Sequence, residues 1–316
     1  MRALVLGGAG FIGVHLTRRL LADGHDVVVV DDFSRGRDDT ELGLLGVPVV
    51  SADLTDPAAF DALPDDVDHV YLLAAVVGVR NVERDPERVI RVNTLVVLNA
   101  LAWVTPRHRL FFASTSETYA GGVDSGVVPV PTPESVPLVV ADVTAPRAAY
   151  GVSKVLGEAA VAHTGRAKGV AAVIGRFHNV YGPRMGADHV IPELSLRAAR
   201  REDPFRVYGT DQYRAFCHVD DAVEAVVRLM AADEAVGRVV HIGDDTAETN
   251  IGDLARLVLD VAGHDPVLEQ VPAPRGSVHR RCPDLTLLRA MTGFKPTVPL
   301  EEGVRQTYEW YRDHAG

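Results

Sequence analysis

Three features of the sequence predict an α/β chain wound around a parallel sheet. Short apolar runs alternate with stretches of helical periodicity. A glycine cluster stands between the first run and the first helix, and acidic or hydroxyl residues collect where later runs end. Strands that alternate with helices join as parallel neighbours through right-handed crossovers, giving a doubly wound sheet. Ligands then sit outside the carboxyl ends of its strands.

The first strand, residues 3–6, runs directly into Gly7-Gly8-Ala9-Gly10-Phe11-Ile12-Gly13. Ile12, Leu16 and Leu20 follow at helical spacing, with Arg18 and Arg19 outside. Glycines let a backbone turn tightly and approach a pyrophosphate held at the helix N-terminus. Gly7, Gly10, Phe11, Ile12 and Gly13 are therefore candidates to hold a dinucleotide. A second strand, 27–30, ends in Asp31 and Asp32. An acid there accepts from a ribose 2′-hydroxyl and repels a 2′-phosphate, so NAD is expected over NADP. Arg35 and Arg37 are the two groups able to swing toward a phosphate instead. A third strand, 47–50, closes on Ser51-Ala52-Asp53-Leu54, where Asp53 either meets the adenine amino group or caps a turn. The fourth, 69–75, ends in Leu73-Ala74-Ala75, small enough to leave the cofactor space. Residues 87–103 are helical, with Asn93 mid-helix. The fifth strand, 110–113, delivers Ser114-Thr115-Ser116-Glu117 to the cofactor side. A Pro- and Val-rich loop, 127–146, has the length of a lid or binding loop. The sixth strand, 170–175, closes on Arg176-Phe177-His178-Asn179. Beyond it the alternation loosens into a helix at 192–201, strands at 205–208 and 239–242, and helices at 251–262, 284–292 and 300–314.

After the loop comes Tyr150-Gly151-Val152-Ser153-Lys154. Positions i and i+4 share a helix face, so a phenol and an ammonium can enter one cleft. A free tyrosine, with a pKa of about 10, is too weakly acidic to act as a base at neutral pH. A nearby cation lowers that value, making a base able to take a hydroxyl proton. The alternative is a half-buried tyrosine beside a solvated lysine. Composition narrows the partners: 32 basic against 43 acidic residues give a net charge of −11, unsuited to nucleic acid. Cys217 and Cys282 have no metal-ligand spacing and fit a reduced, cytoplasmic protein, and the scattered histidines give metal ligation no support. No signal-peptide core and no uncharged span for a membrane are present.

The ordered set Gly7-x-x-Gly10-x-x-Gly13, Asp31, Asp53, Ser114-Thr115-Ser116, Tyr150-x-x-x-Lys154 and Asn179-Val-Tyr-Gly-Pro resembles the extended short-chain dehydrogenases/reductases, in their nucleotide-sugar epimerase/dehydratase branch. That resemblance implies a Rossmann-type NAD-binding domain, residues 1–176 with part of 212–245 returning to it. It also implies a smaller mixed α/β C-terminal domain, 177–211 and 246–316, for a nucleoside-diphosphate sugar. By the same resemblance Tyr150 is the base, Lys154 holds the nicotinamide ribose, and Thr115 hydrogen-bonds the sugar 4-hydroxyl. Leu54, Leu73, Ala74, Ala75 and Asn93 fall on the cofactor side, and Ser116 on the sugar side. Asn179, Arg214, Arg281 and Asp284 become candidates for the diphosphate and ribose, and Tyr208 a neighbour of the base. Homodimerisation through the Asn93 and Tyr150 helices is also implied.

Oxidation at sugar C4 would give a 4-ketone that can be epimerised, decarboxylated or dehydrated. Ala74-Ala75-x-x-Gly78-Val79-Arg80 resembles UDP-glucuronate 4-epimerases, and epimerisation of a UDP-hexuronate or UDP-hexose is the leading expectation. Ser-Thr-Ser-Glu117, Gly182-Pro183-Arg184-Met185 and Arg280-Arg281-Cys-Pro-Asp284 resemble UDP-glucuronate decarboxylases, although the tyrosine those enzymes carry after the fourth strand is missing. Glu117 would serve decarboxylation or 4,6-dehydration, or would only order its loop. Arg80, Arg184 and His178 are candidates to meet a sugar carboxylate. A non-catalytic NAD-binding sensor is the reading from another class.

Overall fold

Apolar residues with no polar face form the strand runs, and burial on both sides of one sheet follows from that. The computed structural model describes residues 1–36, 39–273 and 278–314. β1 (Arg2–Leu6) ends at the glycine turn and α1 (Phe11–Ala22) leaves it. β2 (Asp26–Asp31), the short helix α2 (Thr40–Gly43) and β3 (Val49–Ser51) lie to one side. To the other run β4 (His69–Leu72), α3 (Val79–Arg84), α4 (Pro86–Trp103), β5 (Arg109–Thr115), α5 (Ala120–Asp124), α6 (Ala148–Lys168) and β6 (Ala171–Phe177). Then come β7 (Val180–Tyr181), α7 (Val190–Ala199), β8 (Phe205–Tyr208), β9 (Tyr213–Ala215), β10 (Cys217–His218), α8 (Val219–Ala231) and β11 (Val239–Ile242). The chain finishes with β12 (Glu248–Asn250), α9 (Ile251–Ala262), β13 (Leu268–Val271), β14 (Arg280–Arg281), α10 (Thr286–Thr292) and α11 (Leu300–His314).

The main sheet has seven strands in the order β11-β6-β5-β4-β1-β2-β3, every pair parallel. The chain moves outward from β1 in one direction and returns through β4 in the other. The crevice between them, at the carboxyl ends, is where such a sheet binds ligands. One face is covered by α1, α8 and α10 around Leu16, Phe111, Val226 and Phe294. The opposite face is covered by α4 and α6 around Leu72, Val97, Phe112 and Val161. A separate apolar cluster joins α7, β8, α9 and α11 through Leu194, Phe205, Val258 and Val304. Helix ends follow local chemistry. Asp85 caps α4 by accepting from Arg88 N–H at 3.0 Å, with Pro86 in the first turn. Gly169, at φ +72°, closes α6.

Differences from the sequence expectation are local. The third strand starts at Val49 rather than 47, because Pro48 has no N–H for the ladder. The fourth stops at Leu72: Leu73 and Ala74 both turn their N–H groups onto the Leu6 carbonyl, each at 2.9 Å. The sequence does not announce β7, β9, β10, β12, β13, β14, α2, α3 or α5, since each is short and shows no sustained period. The 127–146 loop carries no helix or strand, only a bridge from Thr132 to Pro283. Among the described residues no helix is long and apolar enough to cross a membrane.

Gly13 is where α1 meets the turn: a Cβ there would lie 2.4 Å from the Gly7 carbonyl oxygen and 2.6 Å from Gly8 Cα. Backbone cannot give way as a side chain can, so Gly13→Ala should destabilise the protein by about 1–3 kcal/mol in urea denaturation.

Candidate active site

A cavity of about 850 Å³ opens at the carboxyl ends of the main-sheet strands, between the glycine turn and the face of α6. Gly7, at φ +86°, lies so near β4 that a Cβ would stand 2.6 Å from Ala74 N. Gly10 starts α1 with no side-chain cap, and no acid occupies the first turn. Its N-terminus therefore presents unsatisfied N–H groups and a partial positive charge to the cavity, beside Phe11 and Ile12. Bare backbone, a helix terminus and an adjacent acid fit a dinucleotide diphosphate and ribose. Asp31 borders the cavity and accepts from Ala9 N–H at 3.0 Å and Phe33 N–H at 2.9 Å. Burial raises its pKa against those two bonds. Asp32 lines the same wall and bonds Ser34. Asp53 also lines the cavity, with one oxygen accepting from the Thr55 N–H and hydroxyl at 2.9 and 2.8 Å, as a turn acid does. Leu54, Leu73, Ala74 and Ala75 complete this side.

One cofactor-side expectation changes. Asn93 does not reach the cavity; its buried amide accepts from Val76 N–H at 2.7 Å and donates to Ser153 Oγ at 3.1 Å, bracing the turn after β4 against α6. Arg35 lines the cavity and donates to the Val77 carbonyl at 2.5 Å, near enough to act on Tyr150. Arg37 lies outside the described residues.

Tyr150 and Lys154 both line the cavity from α6, opposite Thr115 at the end of β5. Burial and then the Glu117 charge push the Tyr150 phenol up, while a hydrogen bond with the Thr115 side chain and the charge of Arg35 act downward. The expected lowering by Lys154 is not found. Its ammonium lies 5.9 Å from the Tyr150 ring centroid and donates to the Ala113 carbonyl at 2.8 Å, above the Phe112 ring. Burial lowers Lys154 to about 8, with Glu158 opposing.

Charged groups gather at the far end. Glu117 accepts from both terminal nitrogens of Arg281. Burial would raise this carboxyl, but the Arg281 charge and hydrogen bonds outweigh it, so Glu117 stays below its ordinary range. Arg214 is held by the Val278 carbonyl at 2.6 Å and Gln212 at 3.2 Å, and burial followed by Arg281 brings it down to about 10. Ser116 and Asn179 line the cavity, the latter at φ +41° with its amide on the Ala215 carbonyl at 3.1 Å. Arg147, three residues before Tyr150, also lines the cavity; its only sequence signal is an arginine in the turn leading into that helix.

Five other sequence candidates are placed differently. Arg80 points outward, 79% exposed and paired with Asp188 at 3.0 Å. Arg184 borders the cavity, but Asp39 and Glu41 have taken its guanidinium. His178 is buried between Tyr119 and His241, and burial holds it neutral, far below its ordinary pKa. Tyr208 is half exposed on β8, away from the cavity wall. Asp284 sits in a separate depression beside Glu134 and accepts from Thr286 N–H at 2.8 Å. Among the described residues no three His, Cys, Asp or Glu side chains converge as a metal site.

Comparison with known proteins bears on this geometry. Residues 3–243 match the NAD dependent epimerase/dehydratase family. A UDP-N-acetyl-alpha-D-glucosaminuronate decarboxylase from Bacillus cytotoxicus is 33% identical, over 99% of this chain and 98% of its own. The UDP-glucose 4-epimerase of Thermotoga maritima, solved with UDP-glucose, superposes with a TM-score of 0.87 at 27% identity, covering 100% of both chains. A dTDP-glucose 4,6-dehydratase from Streptomyces venezuelae, solved with NAD, gives 0.86 at 25% identity, covering 100% of this chain and 98% of the other.

The Lys154 shift makes stability depend on pH. Its folded-state value of about 8 lies below the ordinary 10.5, so the unfolded chain binds this proton more tightly and stability rises with pH between the two. From about pH 8 to about pH 9.5 the NAD-free protein should gain about 1–2 kcal/mol in urea denaturation that the Lys154→Met variant does not gain.

Proposed function

We propose that this chain, which belongs to the NAD dependent epimerase/dehydratase family, oxidises C4 of a UDP-hexuronate and decarboxylates the resulting ketone. It is an NAD-dependent nucleotide-sugar enzyme; the sugar, its UDP carrier and the fate of the ketone are what we add. The carrying observation is the ionised Glu117, paired with Arg281, in the cavity that also holds Tyr150 and Thr115.

In this reading the glycine turn and the α1 N-terminus hold the cofactor diphosphate, Asp31 the adenosine ribose, and Lys154 the other ribose. When bound, NAD supplies the hydride acceptor. Tyr150 removes the O4 proton, and Thr115 orients that oxygen. Oxidation leaves a ketone β to the C6 carboxylate. Departure of carbon dioxide then shifts negative charge from C6 to O4. Glu117 disfavours the charge at C6, whereas the Tyr150 and Thr115 hydroxyls donate to O4 as it becomes an enolate. A proton from solvent then adds to C5 in place of the departed carboxylate, completing the pentose skeleton before the ketone is reduced by the hydride first removed from C4. Arg214 and Arg281 provide planar forks suited to the sugar diphosphate or carboxylate. Residues 1–176, with β11 returning beside β6, serve the cofactor, and 177–211 with 246–316 serve the sugar nucleotide. Ile90 and Leu98 on α4 and Leu156 on α6 are exposed apolar side chains, and we assign them to a homodimer contact.

This moves from the sequence expectation of epimerisation. The near full-length likeness to a hexuronate decarboxylase and the Glu117–Arg281 pair support the change. Epimerisation stays as the second reading, favoured by the absence of a tyrosine from Gly78-Val79-Arg80-Asn81-Val82 and by the likeness to a UDP-glucose 4-epimerase.

Incubation with UDP-glucuronate and measurement of product mass separates the two. Loss of carbon dioxide is expected; an unchanged mass in a new chromatographic peak would instead establish epimerisation. Tyr150→Phe should abolish turnover while NAD stays bound, and Glu117→Gln should slow carbon dioxide release about a hundredfold or more. Near-normal release by Glu117→Gln would remove that residue from the reaction.

A further inference from the structure

Arg184 carries two costs at once. Its φ of +69° is a region that side-chain-bearing residues enter only with strain, and 2% of its charged side chain is exposed. Two carboxylates meet it: Nη1 donates to Asp39 at 2.7 and 2.6 Å and to Glu41 at 3.3 Å. Nη2 reaches back to the carbonyl of Ala9, inside the glycine turn, at 3.4 Å.

Each partner is tied to something else. Asp39 caps α2, accepting from Leu42 N–H at 3.1 Å. Glu41 accepts the indole N–H of Trp310 on α11 at 2.6 Å. Ala9 gives its N–H to Asp31 at 3.0 Å and packs with Val29 and Leu42. Met185, next to Arg184 in the chain, accepts from the Tyr311 hydroxyl with its carbonyl. A ring of contacts therefore runs from the glycine turn through Arg184 to α2, on to α11, and back to Met185.

We infer that Arg184 is a clasp that locks α2 and the C-terminal helix over the glycine turn, and so sets how fast NAD leaves the protein. The two acids satisfy its charge, which leaves little to offer an incoming sugar carboxylate. A buried guanidinium resists separation from its partners, so α2 seldom lifts away from Ala9. Slow release suits a reaction that returns the hydride it removes, because the cofactor is not consumed in a turnover. The clasp acts in the same way whether the 4-ketone is decarboxylated or epimerised.

Release can be followed by loading the full-length protein with radiolabelled NAD, chasing with unlabelled NAD, and counting what the protein retains over time. Arg184→Met should release label about tenfold faster or more, since both carboxylates lose their partner. Arg184→Lys keeps one charge but not the fork and should fall between. Trp310→Phe, which removes the indole N–H together with the fused second ring but leaves both Arg184 carboxylates in place, should show a smaller increase in the same direction. If Arg184→Met does not fold, Glu41→Gln and Trp310→Phe decide the matter. Release rates within about twofold of the parent protein in the folded variants would overturn the clasp, as would a lower melting temperature with release unchanged.

Discussion

The ion pair between Glu158 and Arg176 is the constraint on which the rest of the site depends. Arg176 donates to both carboxylate oxygens, at 2.7 and 2.6 Å, with both side chains buried. Ser114 donates to the same carboxylate from β5, and Arg176 also donates to the Tyr119 hydroxyl. Tyr119 in turn meets His241 on β11 at 2.8 Å. Five segments, β5, the turn after it, α6, β6 and β11, thus converge on one charged pair. Such a pair adds little stability against an apolar replacement, but loss of one partner costs about 3–5 kcal/mol. What it provides here is position. Glu158 lies one helical turn beyond Lys154, and Gly157 beside it lets α6 close on Phe112, where a Cβ would lie 2.5 Å from the ring. Tyr150 and Lys154 consequently face the end of β5 at a fixed distance.

The electrostatics of the cavity divide along its length. At the glycine turn the positive end of α1 is uncapped, although the chain as a whole carries a net charge of −11. At the opposite end Arg214 and Arg281 crowd together, and each guanidinium acts on the other or on Glu117. Between them the phenol of Tyr150 is held up by burial and by Glu117, and Lys154 is drawn down by burial. Burial therefore works against the charged form of both groups in the cofactor-free protein. In the proposed reaction, a further positive charge entering the cavity would favour the Tyr150 phenolate.

Much of this was legible in the residues, for identifiable reasons. Glycines at a strand-helix junction, acids at strand ends and a Tyr-x-x-x-Lys spacing are local patterns, and backbone geometry turns each into a position. Thr115, Glu117, Tyr150, Lys154, Arg214 and Arg281 all line one cavity. Pairing over long sequence separation was not legible. Arg184 follows Gly182-Pro183 as a ligand-binding arginine would, yet acids 145 and 143 residues away had already claimed it. His178 stands between two cavity residues, Phe177 and Asn179, but just past the end of β6 it packs inward against Tyr119 and His241. Arg80 and Tyr208 had no local feature to show that they face away. Lys154 likewise looked like the partner of Tyr150, whereas the Ala113 carbonyl is nearer to its ammonium.

Turnover of UDP-glucuronate in deuterated water, with the product read by nuclear magnetic resonance, tests the central claim most directly. Oxidation and return of the same hydride at C4, with decarboxylation between them, predicts a pentose carrying deuterium at C5 and protium at C4. A product that keeps its carboxylate, or that carries deuterium at C4, would contradict the account.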